Sequence, residues 1–189
     1  YHMKKVICLY GMPASGKTTQ ADLLAKEHKF IQFGMGEHLR AEIDSNSALG
    51  QEIKPYVDRG GLIPDDLMAQ VIEKFDLKEE DLGIIFDGFP RMLAQAQMLD
   101  QVIINLKLEM VGFFYLKIDQ EIAEKRIAAR AGVEGRGDDK DPVAVANRIN
   151  AFKKESIPLI AHYQEKGLFH EIDGNLPIEK VYQEINLYL

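Results

Sequence analysis

The sequence predicts a three-layer α/β fold, in which a central parallel five-stranded sheet carries helices on both faces. Two observations predict it: short apolar runs alternate with longer helical patterns, and most of these runs are unbroken by polar residues. A strand with apolar side chains on both faces is typical of a parallel sheet that helices cover on both sides. The predicted strands are residues 6–10, 30–33, 83–86, 111–116 and 168–172.

Helical patterns occupy the intervals between these strands. Two intervals break the alternation: residues 35–75 hold helices without a strand, and residues 131–141 are polar, with three glycines and mixed charges. We predict a helical insertion for the first. We expect the second to bury nothing and to form a mobile flap, although a plain surface loop fits its composition too. The predicted helices are residues 16–28, 35–44, 48–58, 65–75, 93–106, 120–130, 142–166 and 177–187.

Composition limits the classes of function. With 189 residues, 46% of them hydrophobic, residues 1–189 suffice for a single domain with a substantial core. The net charge of −7 disfavours nucleic-acid binding, which depends on neutralising phosphates. No apolar run is long enough for a membrane span or a signal peptide, and the one cysteine, Cys8, is expected to be buried in the first strand. We therefore expect a cytoplasmic protein with no membrane or nucleic-acid partner.

Residues 11–18 match the phosphate-loop pattern G-x-x-x-x-G-K-[ST] and lie between a predicted strand and a predicted helix. In such a loop, glycines let consecutive backbone N–H groups turn inward, and the helix N-terminus adds partial positive charge. Lys17 would reach the β- and γ-phosphates, and a hydroxyl of Thr18 or Thr19 would face Mg²⁺. A chance glycine turn is the alternative. The predicted nucleoside-triphosphate ligands here are Gly11, Pro13, Ala14, Ser15, Gly16, Lys17, Thr18 and Thr19.

The third predicted strand ends in Asp87, followed by Gly88-Phe89-Pro90-Arg91. A carboxylate at the carboxyl end of a parallel strand beside a phosphate loop would hold Mg²⁺ or its water ligands. The planar guanidinium of Arg91 offers two parallel hydrogen bonds to a phosphate.

The phosphate loop and Asp-Gly-Phe-Pro-Arg together resemble the signature of adenylate kinases and their UMP/CMP kinase relatives, and the resemblance covers nearly the whole chain. It implies a P-loop NTPase fold with a monophosphate-binding subdomain at 35–75 and a short lid at 131–141. The implied acceptor ligands are Met35, Gly36, Arg40, Leu62, Ile63, Gly88, Arg91, Gln95, Arg136 and Arg148. Further ATP ligands would be Arg126, Arg130, Asn175 and Leu176. The implied catalytic residues are Lys17, Asp87, Arg91, Arg126, Arg136 and Arg148.

The arginines agree with this resemblance, because six of the seven fall on phosphate-binding positions and only Arg59 does not. Arg126 and Arg130 are four residues apart and share one helix face, where a solvated basic stripe is the alternative. Asp138 and Asp139 would pair with lid or helix arginines, or form a solvated acidic turn. The lid has no cysteine, so the resemblance implies Mg²⁺ and no zinc.

The acceptor base is the least determined part of the prediction. Gln95 falls where adenylate kinases recognise the adenine of AMP, but Met35 replaces the usual threonine. Ala14 and Thr18 replace glycines of the phosphate loop, and His38 would be either a ligand contact or an exposed helix histidine.

The sequence therefore predicts a monomeric kinase that transfers a phosphoryl group from ATP·Mg²⁺ to AMP. CMP, UMP, a deoxynucleotide or another small metabolite remain alternative acceptors. A nucleotide-dependent switch or sensor is the alternative from another class. A GTP-dependent switch would need an Asn-Lys-x-Asp motif, which the chain lacks.

Overall fold

The computed structural model describes residues 2–133 and 137–189. Five parallel strands pair in the order β2-β3-β1-β4-β5, so β1 lies at the centre of the sheet and β2 at one edge. The sheet prediction is confirmed, and the predicted strand bounds differ from the observed ones by at most two residues. The strands are β1 (Lys5–Tyr10), β2 (Phe30–Phe33), β3 (Gly83–Asp87), β4 (Glu109–Lys117) and β5 (Phe169–Asp173).

All eight predicted helices are present. Three of them, α2 to α4, lie consecutively between β2 and β3 and form the predicted helical insertion. The sixth helix extends to Val133, three residues into the predicted flap, and a 3₁₀ turn spans Gly137–Lys140. The helices are α1 (Lys17–His28), α2 (Met35–Asp44), α3 (Ala48–Asp58), α4 (Asp65–Glu73), α5 (Leu93–Asn105), α6 (Gln120–Val133), α7 (Pro142–Glu165) and α8 (Ile178–Asn186).

Alternation along β1 explains why both faces of the sheet are covered. Val6, Cys8 and Tyr10 belong to a core shared with α2 to α5 and α7. Ile7 and Leu9 point the other way, into a core shared with α1 and α8. Cys8 is buried and unbridged as predicted, and burial raises the pKa of its thiol.

The neighbouring strands β1 and β3 place the signature residues at the carboxyl end of the sheet. β1 ends immediately before the phosphate loop, and its parallel neighbour β3 ends at Asp87. The carboxyl ends of parallel strands are where open α/β sheets bind ligands. None of the helices in residues 2–133 and 137–189 has the length and apolar character that a membrane crossing requires.

Candidate functional site

The phosphate loop is shaped by residues with unusual backbone conformations. Gly11 has no room for a side chain, since an added Cβ would lie 2.6 Å from Ser15 Oγ and 2.7 Å from the Leu116 carbonyl oxygen. Gly16 precedes α1 with φ of 97°, and Ala14 adopts a left-handed conformation with φ of 63°. Ala14 thus takes up the backbone conformation that favours glycine, at a cost of about 1 kcal/mol.

Lys17 lies over this loop. Its ammonium group donates hydrogen bonds to the carbonyl oxygens of Gly11 and Met12, both at 3.0 Å, and to Ser15 Oγ at 3.3 Å. A bound phosphate would compete with these neutral acceptors for the same cation, and a charged acceptor forms the stronger bond.

The side chains of Lys17 and Arg91 meet beside Gly88. A Cβ added to Gly88 would lie 3.6 Å from Lys17 Cε and 3.8 Å from Arg91 Nη2. Gly88 has φ of 71°, a backbone conformation that favours glycine, while both distances are those of ordinary van der Waals contact. Arg91 Nε donates to the Gly88 carbonyl oxygen at 2.9 Å, which draws the guanidinium toward the phosphate loop.

Thr18 and Asp87 are the two predicted metal ligands, and they are neighbours. Thr18 Oγ1 donates to Asp87 Oδ2 at 2.8 Å. Thr18 is exposed and Asp87 half-buried, so solvent and ligands reach both oxygens. A hydroxyl and a carboxylate beside a phosphate loop are the hard oxygen donors that Mg²⁺ prefers, and the residues present therefore fit this ion.

Gln95 has a structural task at the start of α5. Its Oε1 accepts a hydrogen bond from the Arg91 backbone N–H at 2.8 Å, and its Nε2 lies 4.0 Å from Met68 Sδ. Met92, the N-cap residue of α5, offers no capping side chain, so Gln95 satisfies a backbone donor near this helix end. Met68 was not predicted from the sequence, where it is one apolar residue of an amphipathic helix.

Arg126 connects three segments on the predicted ATP side. Its guanidinium donates to the carbonyl oxygens of Ala14 at 3.3 Å and Gly174 at 3.5 Å. This places the phosphate loop, α6 and the loop that holds Asn175 and Leu176 next to one another. Asn175 is exposed, and Leu176 packs against the core of α1 and α8.

Gln20 reinforces the same region and was not singled out from the sequence. Its side chain is buried, and Nε2 donates to the Ile178 carbonyl oxygen at 3.0 Å. The sequence contained one sign of this burial: Gln20 is polar, but it directly precedes Ala21, which faces the core.

Arg130 and Arg148 both bind Asp139, whose side chain is fully buried. Arg130 contacts the two carboxylate oxygens at 2.7 and 2.9 Å, and Arg148 contacts one at 2.9 Å. The hydrogen bonds from Arg130, followed by those from Arg148, hold the pKa of Asp139 well below its usual value despite burial. The expectation that residues 131–141 bury nothing is therefore wrong at Asp139, because two arginines compensate its charge.

Both members of the predicted Arg126–Arg130 pair are half-buried and bonded to protein, which contradicts a solvated basic stripe. Arg136, a predicted catalytic and acceptor residue, lies outside the described residues.

On the predicted acceptor side, α2 carries Met35, Gly36 and Arg40. Met35 packs against the core, and Arg40 extends over Gly36, with Nη1 3.3 Å from the position of an added Cβ. Arg40 is exposed and makes no hydrogen bond or ion pair within residues 2–133 and 137–189. His38 is half-buried against Phe33, so the expectation of an exposed helix histidine is wrong.

The loop between α3 and α4 holds the other predicted base contacts. Leu62 is 77% exposed, whereas Ile63 packs against the core. Gly60 begins the loop with φ of 64°. Within the insertion, this loop therefore exposes the Leu62 side chain to solvent and packs Ile63 into the core.

Comparisons with known proteins show the family of this chain. The adenylate kinase family model matches residues 9–168. The chain is 34% identical to an adenylate kinase of Thermus thermophilus, over 98% of this chain and 97% of that protein. It is 37% identical to the adenylate kinase of Caulobacter sp. (strain K31) and 36% identical to that of Prochlorococcus marinus (strain MIT 9301), each over 97% of both chains. With the phosphate loop, Asp87 and Arg91 assembled at one edge of the sheet, the chain belongs to the adenylate kinase family.

Proposed function

We propose that this protein is a phosphotransferase that reversibly moves the γ-phosphoryl group of ATP to AMP, giving two molecules of ADP. The observation that carries this proposal is the meeting of Lys17 and Arg91 beside Gly88, with Thr18 and Asp87 adjacent to Lys17 in the fold. Two cations from the donor and acceptor motifs on one glycine provide a place where two phosphate chains meet end to end.

The donor would lie along the phosphate loop. Its backbone N–H groups and the N-terminus of α1 would bind the polyphosphate, and Lys17 would leave the carbonyl oxygens of Gly11 and Met12 for the β- and γ-phosphates. Arg126, with the loop that holds Asn175 and Leu176, would border the adenosine end.

The acceptor would bind between the subdomain at 35–75 and β3. Arg40 and Arg91 would hold the α-phosphate of AMP, while Met35 and Leu62 would contact the base. Gln95 would hydrogen-bond the adenine through the amide that now spans Arg91 and Met68. AMP is the proposed acceptor because Gln95 falls where adenylate kinases recognise adenine, and its amide can both donate to and accept from the adenine edge.

Closure of the short lid at 131–141 would bring Arg130, Arg136 and Arg148 toward the transferring group. The reaction needs no covalent intermediate, because phosphoryl transfer is catalysed mainly by alignment and by stabilisation of negative charge. Exclusion of water by the lid protects ATP from hydrolysis.

Thr18 and Asp87 would hold Mg²⁺, directly or through water. When bound, the ion neutralises phosphate charge and orients the donor. The chain's single cysteine lies in β1, so a multi-cysteine zinc site in the lid is not part of the proposal. We infer a monomer from the family resemblance, and sedimentation of the purified protein tests this.

The test is ADP formation by purified protein from ATP·Mg²⁺ with AMP, dAMP, CMP, UMP or GMP in separate assays. We expect AMP to give the highest kcat/KM. Arg91→Ala should lower kcat/KM for AMP by about 10²-fold or more, as loss of a phosphate-stabilising donor does. Arg59→Ala, at the one arginine outside the proposed site, should leave it unchanged. If the protein forms no ADP with any of these acceptors, the proposal is contradicted. If it prefers CMP or UMP, that monophosphate takes the place of AMP in the proposal.

A further inference from the structure

Three aromatic rings meet where the helical insertion leaves the sheet. His38 stacks on Phe33 with ring centroids 4.1 Å apart and an angle of 13° between the rings. Phe75 meets both of them edge-on, at 5.0 Å from His38 and 5.2 Å from Phe33. We refer to His38, Phe33 and Phe75 as the His38 cluster.

A hydrogen bond fixes the orientation of the histidine ring. His38 Nδ1 lies 2.8 Å from the Gly34 carbonyl oxygen, which also accepts the His38 backbone N–H at 3.1 Å. A carbonyl only accepts, so Nδ1 carries the proton in this contact. Gly34 is the N-cap residue of α2, so this hydrogen bond ties the His38 ring to the backbone at the point where α2 begins.

The His38 cluster joins both ends of the insertion to the sheet. Phe33 is the last residue of β2, fully buried, with its ring 5.2 Å from that of Phe86 in β3. Phe75 follows α4 and packs against the same core. The entry of the chain into the insertion and its exit therefore share one aromatic contact with the sheet.

The position of α2 in turn determines the position of Arg40. Arg40 lies two residues after His38 on the same helix, and no hydrogen bond or ion pair within the described ranges holds its guanidinium. Its location relative to the sheet is consequently set by the helix that carries it. A shift of α2 on β2 moves Arg40 by the same amount.

We propose that His38 is a positioning residue for the acceptor: it fixes α2 against β2, so that Arg40 lies where the monophosphate binds. This inference rests on the proposed function. The ring stack and the Gly34 hydrogen bond act together, since one sets the distance of α2 from Phe33 and the other the rotation of the ring.

The experiment compares KM for AMP with KM for ATP in three variants. His38→Leu removes both contacts and should raise KM for AMP about five-fold or more, with KM for ATP unchanged. His38→Phe keeps an aromatic ring on Phe33 and should recover part of this loss. The matched control is His28→Leu, because the ring of His28 also contacts a ring of β2, that of Phe30 at 5.7 Å, and His28 contacts Asn186 at 2.6 Å. His28 lies at the amino end of the strand, so its loss should leave both KM values unchanged.

Wild-type ADP formation is measured first and tests the proposed function separately. With an active wild type, a folded His38→Leu with normal KM for AMP overturns the positioning role. An equal rise of both KM values also overturns it, because general loosening would then explain the effect. If His38→Leu does not fold, His38→Phe carries the test, and a normal KM for AMP in that variant overturns the proposal.

Discussion

The proposed ATP side of the site differs from the part of the proposed acceptor side that α2 to α4 form. Arg91 belongs to neither of these parts, and its Nε donates to the Gly88 carbonyl oxygen. On the ATP side, Lys17 and Arg126 bind backbone carbonyl oxygens of the phosphate loop, at 3.0 to 3.3 Å. On the acceptor side, Arg40 is exposed and has no such partner within residues 2–133 and 137–189, and Leu62 is largely exposed. Backbone contacts thus organise the proposed ATP side, whereas the placement of α2 to α4 sets the positions of Arg40 and Leu62. Acceptor binding should therefore carry the larger cost of ordering.

The largest expected effect comes from a substitution on the ATP side, which backbone contacts organise. Lys17→Met should lower kcat by about 10² to 10³-fold, because it removes the cation that we propose binds the transferring phosphates while the apolar stem remains. Steady-state ADP formation measures this change. The control is Lys125→Met, whose ammonium only pairs with Glu121 at the surface and whose loss should leave kcat unchanged. A Lys17→Met enzyme with nearly normal kcat would remove the phosphate loop from the mechanism.

The next largest effect is expected at Asp139, the buried carboxylate that Arg130 and Arg148 bind. Asp139→Asn leaves Arg130 and Arg148 without their compensating charge, and we expect the free energy of unfolding to fall by about 2 kcal/mol at pH 7. Urea unfolding measures it. Asp58→Asn, which removes an exposed pair with Lys54, should change the same quantity by less than about 0.5 kcal/mol.

The stabilisation that Asp139 provides depends on pH, and the sign of this dependence follows from the lowered pKa of its carboxylate. A group with a lower pKa in the folded state stabilises the protein above its unfolded pKa of about 4, and this stabilisation is lost as pH falls toward the folded value. The difference between wild type and Asp139→Asn should therefore be full at pH 7 and shrink below about pH 4. A difference that stays constant down to pH 3 would show that charge pairing is not its origin.

Ala14 tests how much strain the organised side contains. Ala14→Gly should raise the free energy of unfolding by about 0.5–1 kcal/mol, because glycine adopts φ of 63° without a steric cost. Thermal and urea unfolding measure this gain. The same side-chain change at Ala25, inside α1, should lower stability by about 1 kcal/mol. Equal losses at both positions would contradict a strained Ala14.

The organised side was also the more predictable one. Strand alternation, the phosphate loop and Asp87 are local patterns, and a parallel sheet brings the ends of β1 and β3 together without further information. The burial of Asp139 was not predictable, because its charge is compensated by arginines nine residues away on either side, which only the packing of α6 and α7 brings together. His38 was misassigned for the same reason: its contact with Phe75 joins residues far apart in sequence.

The smallest expected effect tests whether exposed groups on the acceptor side contact the base. Leu62→Ala should change the free energy of unfolding by less than about 0.5 kcal/mol, since the side chain is 77% exposed, yet raise KM for AMP about two- to three-fold through lost contact with the base. Leu82→Ala is the matched control, because Leu82 is 55% exposed and directly precedes β3, at the end of the strand away from Asp87. Unfolding free energies and KM values for AMP and ATP decide the outcome.

If both leucines change stability alike but only Leu62 changes KM for AMP, the acceptor side acts through exposed groups that ordering brings onto the ligand. If neither variant changes KM for AMP, the loop between α3 and α4 does not contact the base, and recognition of the acceptor is left to Met35 and Gln95.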